Sequence, residues 1–330
     1  MAPTPGIHKW RATEHTPEMK SRVAPDFQRS LMKPMALALG VTFICLPLAA
    51  QDAPARPPIT GIAHVRIYST DLHKSLDFYS RILGMTPRNA GCTGMTRPCF
   101  IVNDHQQIQL SEVVSASPAS LLAEIAFATT DVARMRSYLL AHNVAVGPVT
   151  RDINGVAHFI LHDPEGNAIA FVQLHPRSVF TAPPEQISTR MLHAGFIVKD
   201  RDAEDRFYRD LLGFRMYWHG GSKDADNDWW EIQVPEGTDW IEYMLNISPT
   251  TDKQERGVQN HFSLPVEQIK STVARLRTLG LRTTGEPEIG RDGKWSFDIY
   301  DPDLTRVEFM EFEPAQAPCC NPYTASHPVQ

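Results

Sequence analysis

From residue 59 onward the chain alternates two rhythms. Stretches of period two, such as Ile62-Ala63-His64-Val65-Arg66-Ile67, put successive side chains on opposite faces and predict strands. Stretches with apolar residues three and four apart predict helices. Leu72, Leu76, Tyr79 and Leu83 follow this spacing behind Asp71, a suitable N-cap, and end at Gly84, a suitable stop. The same pattern predicts strands over residues 100–102, 108–110, 124–127, 158–161 and 168–174, with a helix over 132–142. The second half repeats the scheme. Strands are predicted over 192–198, 229–233, 240–245, 261–264, 296–300 and 306–312, and helices over 203–212 and 267–279.

Two stretches also share an order of landmarks. The first reads His64, then Phe78-Tyr79-x-x-x-Leu83-Gly84, then Asp163-Pro164-x-Gly166-Asn167. The second reads His193, then Phe207-Tyr208-x-x-x-Leu212-Gly213, then Asp301-Pro302-Asp303. The offset is 129 residues from His64 to His193, from Phe78 to Phe207 and from Gly84 to Gly213, and 138 at the Asp-Pro turn, the mark of a duplication with an insertion in the second copy.

The Phe-Tyr-x-x-x-Leu-Gly helix end and the Asp-Pro-x-Gly-Asn turn resemble those of the vicinal oxygen chelate superfamily. That superfamily includes glyoxalase I, type I extradiol dioxygenases and bleomycin-resistance proteins. The resemblance covers about residues 60–312. It implies an α+β fold of tandem paired βαβββ motifs, four units in one chain, each pair curling into an open half-barrel around a cavity. Such a fold hosts several chemistries, so it does not name the reaction.

The expected organisation follows. Residues 59–176 form a first module with a degenerate site, 177–189 a linker, 190–313 a second module with the metal site, and 314–330 a Pro- and Cys-rich tail. Residues 1–31 are polar, mixed in charge and fit no element; they read as a leader of uncertain standing, with Met32 an alternative start of translation. Residues 32–50 join a short basic start, an apolar run and small residues, which reads as a secretory signal; 51–58 are a Pro-rich linker. An exported protein, periplasmic or secreted, is expected. The apolar run is shorter than the ~20 residues of a membrane-spanning helix, so no stable membrane insertion is expected.

Composition narrows the classes further. Apolar content of 42% and charged content of 21% suit a folded globular chain, and a net charge of −6 without a basic block excludes a nucleic-acid face. Cys92 and Cys99 bracket a Gly/Pro loop and could close a disulfide in an oxidising compartment; Cys319-Cys320 is a vicinal pair.

The candidate chemistry lies in the second module. Strand alternation sets His193 with Gly195, Glu242 with Trp240 and Met244, His261 with Ser263, and Glu308 with Arg306 and Met310. Each candidate thus faces away from its strand's bulkiest apolar residues. The separations of 49, 19 and 47 residues are similar to those of glyoxalase I, in which the first and last strands of each motif supply one ligand apiece. Two imidazoles and two carboxylates suit one divalent cation among Fe, Mn, Co, Ni and Zn. The first module offers His64, Gln109, Glu124 and Ala170 instead, a poor donor set that reads as structural. Pairing across modules would assemble His64, Gln109, His261 and Glu308; pairing within the second module, as in extradiol dioxygenases, needs nothing from the degenerate half.

Three functions compete for a small-molecule substrate. A glyoxalase-I-like lyase or isomerase would work through an enediolate, with Glu308 or Glu242 as general base. An Fe(II) ring-cleaving dioxygenase would use His193, His261 and Glu308 and leave Glu242 spare. A metal-free binding protein of the bleomycin-resistance type would use neither carboxylate. Trp218, His219, Trp229, Trp230 and Trp240 surround the loop 220–228 and offer an aromatic wall; Arg291, Asp292 and Lys294 form a charged turn.

Overall fold

The structure, a computed structural model, describes residues 54–329 apart from 90–91, 94–97, 114–119, 175–179, 249 and 253–258. Residues 1–50, over which a leader and a secretory signal are expected, lie outside the described residues.

Each module is built from two βαβββ motifs. In the first module these are β1 (Ile59–Ser69), α1 (Leu72–Asp77), β2 (Pro87–Arg88), β3 (Cys99–Ile101) and β4 (Gln107–Glu112), then β5 (Leu122–Thr129), α2 (Val132–Ala141), β6 (Thr150–Arg151), β7 (Ala157–His162) and β8 (Ala168–Gln173). The second contains β9 (His193–Ile197), α3 (Arg201–Asp205), β10 (Arg215–Gly220), β11 (Trp229–Gln233) and β12 (Trp240–Met244), then β13 (His261–Val266), α4 (Ile269–Thr278), β14 (Glu288–Ile289), β15 (Trp295–Tyr300) and β16 (Arg306–Glu311). Helices α1 and α3 run on into π-helical turns, Phe78–Ile82 and Arg206–Leu211.

Three of the four predicted helices begin where a side chain caps them; α4 starts behind Gln268 without a side-chain cap. Asp71, Asp131 and Asp200 each accept a backbone N–H from the residue three positions on. The cap at Asp200 starts α3 two residues before the position its apolar spacing predicts. The hydrophobic pattern misses β2, β6, β10 and β14. Three of these hold two residues each, too few to display a period, and β10 lacks clean alternation.

Two eight-stranded sheets result, ordered β2-β3-β4-β1-β5-β8-β7-β6 and β10-β11-β12-β9-β13-β16-β15-β14. At each centre the first strands of the two motifs pair antiparallel, β1 with β5 and β9 with β13. Motifs therefore pair within modules, and the cross-module set of His64, Gln109, His261 and Glu308 is not formed.

The repeated landmarks fasten the modules together. Tyr79 of the first module donates its hydroxyl to Asp301 of the second, and Tyr208 of the second donates to Asp163 of the first, both at 3.3 Å. Each aspartate holds its own Asp-Pro turn with the other oxygen, accepting two backbone N–H groups. Beneath these clasps a single apolar core continues across both modules, with Phe127 packed on Phe214 and Tyr208. The tail lies over the second module: Tyr217 and Met216 carbonyls accept from Thr324, Asn321 O accepts from the Trp218 indole, and Tyr323 donates to Asp292. Cys92–Cys99 and Cys319–Cys320 are both disulfides.

Candidate metal centre

Strand register brings the four predicted residues to one point. Across the second sheet, Glu242, Gly195 and His261 share one row, since Gly195 is the partner of both neighbours. His193 and Ser263 share the adjacent row, which Ser263 extends to Glu308. Every one of these side chains stands on the same face. His193 Nε2 lies 3.0 Å from His261 Nε2 and 3.1 Å from Glu308 Oε2. Glu242 Oε2 lies 3.0 Å from His261 Nε2 and 3.6 Å from His193 Nε2. One donor atom from each of the four residues falls within 4.8 Å of all the others.

The local chemistry fits a cation. His261 Nδ1 faces the Gln259 carbonyl at 3.0 Å, which assigns the ring proton to Nδ1 and leaves the Nε2 lone pair pointing inward. Arg306 comes within 2.8 Å of both ring nitrogens, and one N–H cannot serve both while Nδ1 is itself a donor. We therefore read it as a guanidinium pressed against the imidazole. Burial and this positive neighbour push the imidazole pKa down against the pull of Glu242, keeping the ring neutral. Burial works to raise both carboxyls. The hydrogen bond to His193 and the Arg306 charge overcome it at Glu308, which sits below the usual carboxylate range. His193 stacks on Trp240 with ring centroids 4.8 Å apart.

Gly195 makes the convergence possible, a role that the strand pattern alone did not show. A Cβ there would meet His261 Cε1 at 2.0 Å and Nε2 at 2.8 Å. The first module shows what replaces this space. One duplication offset earlier stands Arg66, in register with Gln109 on one side and Glu124 on the other. Its guanidinium lies 2.8 Å from Glu124 Oε1, which also meets His64 Nε2 at 2.8 Å; Thr93 Oγ1 lies 2.9 Å from His64 Nδ1. An internal ion pair occupies the first cup, so His64 belongs to a satisfied polar network. Gly against Arg at this offset was the available signal.

The second cup is a cavity of about 230 Å³. Trp218, Trp229, Met244 and Met310 supply apolar wall, and Glu231, Asp292, Asp298, Arg291 and Arg306 supply charge. Of the predicted aromatic wall, Trp218 and Trp229 face the cavity, Trp240 lies beneath His193, and Trp230 packs against His219 and Arg201. Arg291 does line the cavity and holds the Gly221 carbonyl and Asp224 of the neighbouring loop. Lys294 is fully buried, hydrogen-bonded to the Tyr217 hydroxyl at 3.0 Å and set over the rings of Tyr217, Trp240 and Tyr323. Burial lowers its pKa while Glu231 and Asp292 oppose that. Burial raises Glu231 well above the usual range and lifts Asp292 and Asp298 to about 6. A larger groove of about 620 Å³ runs along Ile187–Arg190 and Pro265–Gln268, but among the described residues no metal-ligating cluster lies in it.

These features define a β-sheet cup with a two-histidine, two-carboxylate centre, and comparison places it. The model of the Glyoxalase/Bleomycin resistance protein/Dioxygenase superfamily matches residues 61–171 and 190–309, so the chain belongs to that superfamily. It is 28% identical over 125 residues to a lactoylglutathione lyase of Haemophilus influenzae, covering 37% of this chain and 92% of that one. A probable chloroplastic lactoylglutathione lyase of Arabidopsis thaliana is 27% identical over 137 residues, 40% of this chain; the match spans only 38% of the plant protein. Among solved structures, the 2,3-dioxygenase LapB from Pseudomonas sp. KL28 superposes with a TM-score of 0.59 at 16% identity, covering 83% of this chain and 96% of that one. A variant of homoprotocatechuate 2,3-dioxygenase from B. fuscum gives 0.59 at 18% identity, covering 79% and 73%. At such identities the likeness is one of fold.

Proposed function

We propose that the chain is a metal-dependent isomerase or lyase of the glyoxalase I kind, acting on a small substrate with two adjacent oxygens. The carrying observation is the second carboxylate: Glu242 lies inside the same cluster as Glu308, against both imidazoles. His193, Glu242, His261 and Glu308 would hold one divalent cation, which when bound supplies Lewis-acid polarisation of the substrate oxygens. Glu308 or Glu242 serves as general base, taking a proton from the hydroxyl-bearing carbon beside a carbonyl and returning it to the carbonyl carbon, while the hydroxyl proton passes to the former carbonyl oxygen. The net change is isomerisation, with no co-reactant. Trp218 and Trp229 wall the reacting carbons from water.

One observation and one expectation from the sequence favour a substrate smaller than a glutathione adduct. The 230 Å³ cavity is below the roughly 300–1,000 Å³ that encloses drug-sized ligands. The secretory reading of residues 32–50 also supports a compartment without glutathione buffering. A ring-cleaving dioxygenase using His193, His261 and Glu308 is the second reading, favoured by the pairing of both working motifs inside one module of a tandem chain. It leaves Glu242 without a task.

Metal analysis of the purified wild type, Glu242→Ala and Glu308→Ala tests the centre. The proposal expects metal in the wild type and its loss from both variants. Loss from Glu308→Ala alone would favour the three-ligand dioxygenase, and a wild type that takes up no metal on reconstitution would end both readings. Deuterium exchange into dihydroxyacetone, followed by NMR, tests the proton transfer; oxygen uptake with catechol would instead support ring cleavage.

A further inference from the structure

The cavity holds a polar group that the proposed reaction does not use. Glu231 on β11 stands directly across from Glu242 on β12, so the two side chains share the cup face, with Cβ atoms roughly 5 Å apart. It is only 3% exposed, yet it lines the cavity beside the metal cluster. Its Oε2 is buried with no hydrogen-bond partner. The nearby Lys294 ammonium acts on Glu231 as an opposite charge but gives this oxygen no hydrogen bond; its Nζ bonds the Tyr217 hydroxyl and sits among aromatic rings. Buried acceptors are nearly always satisfied, and one left open on a cavity wall points to a donor carried by the ligand.

We infer that Glu231 forms a hydroxyl-recognising subsite, so that the preferred substrate carries a third oxygen, a hydroxyl, next to the pair that chelates. The inference rests on the metal-centre reading above. Charge selects the group. Five carboxyls, those of Glu231, Glu242, Glu308, Asp292 and Asp298, line the cup against the two guanidiniums of Arg291 and Arg306, and Glu231 stands across from Glu242, so a carboxylate or phosphate in this position meets more like charge than opposite charge. A hydroxyl both donates and accepts, so it can satisfy a carboxyl whichever way the proton lies. A cavity of about 230 Å³ has room for a compact triol-like arrangement.

The test uses the zinc-loaded full chain, because zinc binds such donors without redox chemistry. Binding of pyrogallol and of 3-methylcatechol, which match in size but differ by one hydroxyl, is measured by calorimetry in wild type, Glu231→Leu and Glu231→Gln. The wild type should favour pyrogallol, and Glu231→Leu should reduce that preference about tenfold, the scale of one hydrogen bond. Glu231→Gln, which keeps an acceptor and the shape, should retain most of it; zinc content should not change in either. An unchanged preference in Glu231→Leu would overturn the subsite while leaving the metal centre intact, as would an effect on thermal stability alone. Failure of the wild type to hold zinc, or of both probes to bind, would overturn the metal-centre reading and the subsite with it.

Discussion

Replacing Gly195 by alanine perturbs the centre through one methyl group. The added Cβ would lie 2.0 Å from His261 Cε1, 2.5 Å from Nδ1 and 2.8 Å from Nε2, whereas ordinary contact begins at 3.4 Å. The imidazole has little room to yield. His261 is wholly buried, Arg306 presses on it, and Nδ1 is tied to the Gln259 carbonyl. A ring forced back from 2.0 Å to 3.4 Å leaves the ~0.2 Å tolerance of a metal–ligand distance far behind. Affinity for Zn²⁺ or Co²⁺ should therefore fall at least about 100-fold, the upper end of what losing a supporting contact costs and a lower bound for losing a ligand. Overpacking should cost the metal-free protein about 1–3 kcal/mol. Competition with a chelator gives the affinity, and urea denaturation of the metal-free protein gives the stability. The double variant Gly195→Ala/His261→Ala separates the two effects: it should regain stability over Gly195→Ala while its metal affinity stays low. Wild-type affinity in Gly195→Ala would refute the argument that strand β9 leaves this space for the ligand.

Other outcomes follow from the same geometry. Arg66→Met should destabilise the first module by about 1–3 kcal/mol, because the buried Glu124 loses its guanidinium and keeps only the His64 contact; adding Glu124→Gln should restore much of the loss in a denaturation cycle. Glu204 is buried beside Asp163, and burial followed by that negative neighbour raises its pKa to about 8. A folded pKa above the ordinary 4.5 means its contribution to stability is complete below pH 4.5 and is lost as pH rises through 8. Glu204→Gln should accordingly flatten the fall in urea midpoint between pH 5 and pH 8 and be the more stable protein at pH 8. Replacing Cys92 and Cys99 together by serine should lower stability by about 2–3 kcal/mol through the freed loop, measured against the oxidised wild type.

Much of the architecture was legible because it is written in local patterns. The duplication offset, the aspartate caps and the strand alternation need only neighbours in the chain, and they place His193, Glu242, His261 and Glu308 each on the correct face. The edge strands β2, β6 and β14 were not legible, since two residues carry no period and their pairing is decided by the sheet beside them. The landmarks themselves had a meaning invisible in one dimension: Tyr79 with Asp301 and Tyr208 with Asp163 clasp opposite modules, 222 and 45 residues apart.

The linear order of residues thus determined which side chains could meet, because backbone pleating assigns faces by parity alone. Which of them do meet was decided by register between strands distant in the chain. Register set Gly195 between Glu242 and His261 and opened a space there, while in the first module it set Arg66 between Gln109 and Glu124 and closed the same space with a guanidinium. It also brought Glu231 into the cup beside Glu242. Side-chain volume at one row of a sheet is a property of several strands at once, and only their packing together reveals it.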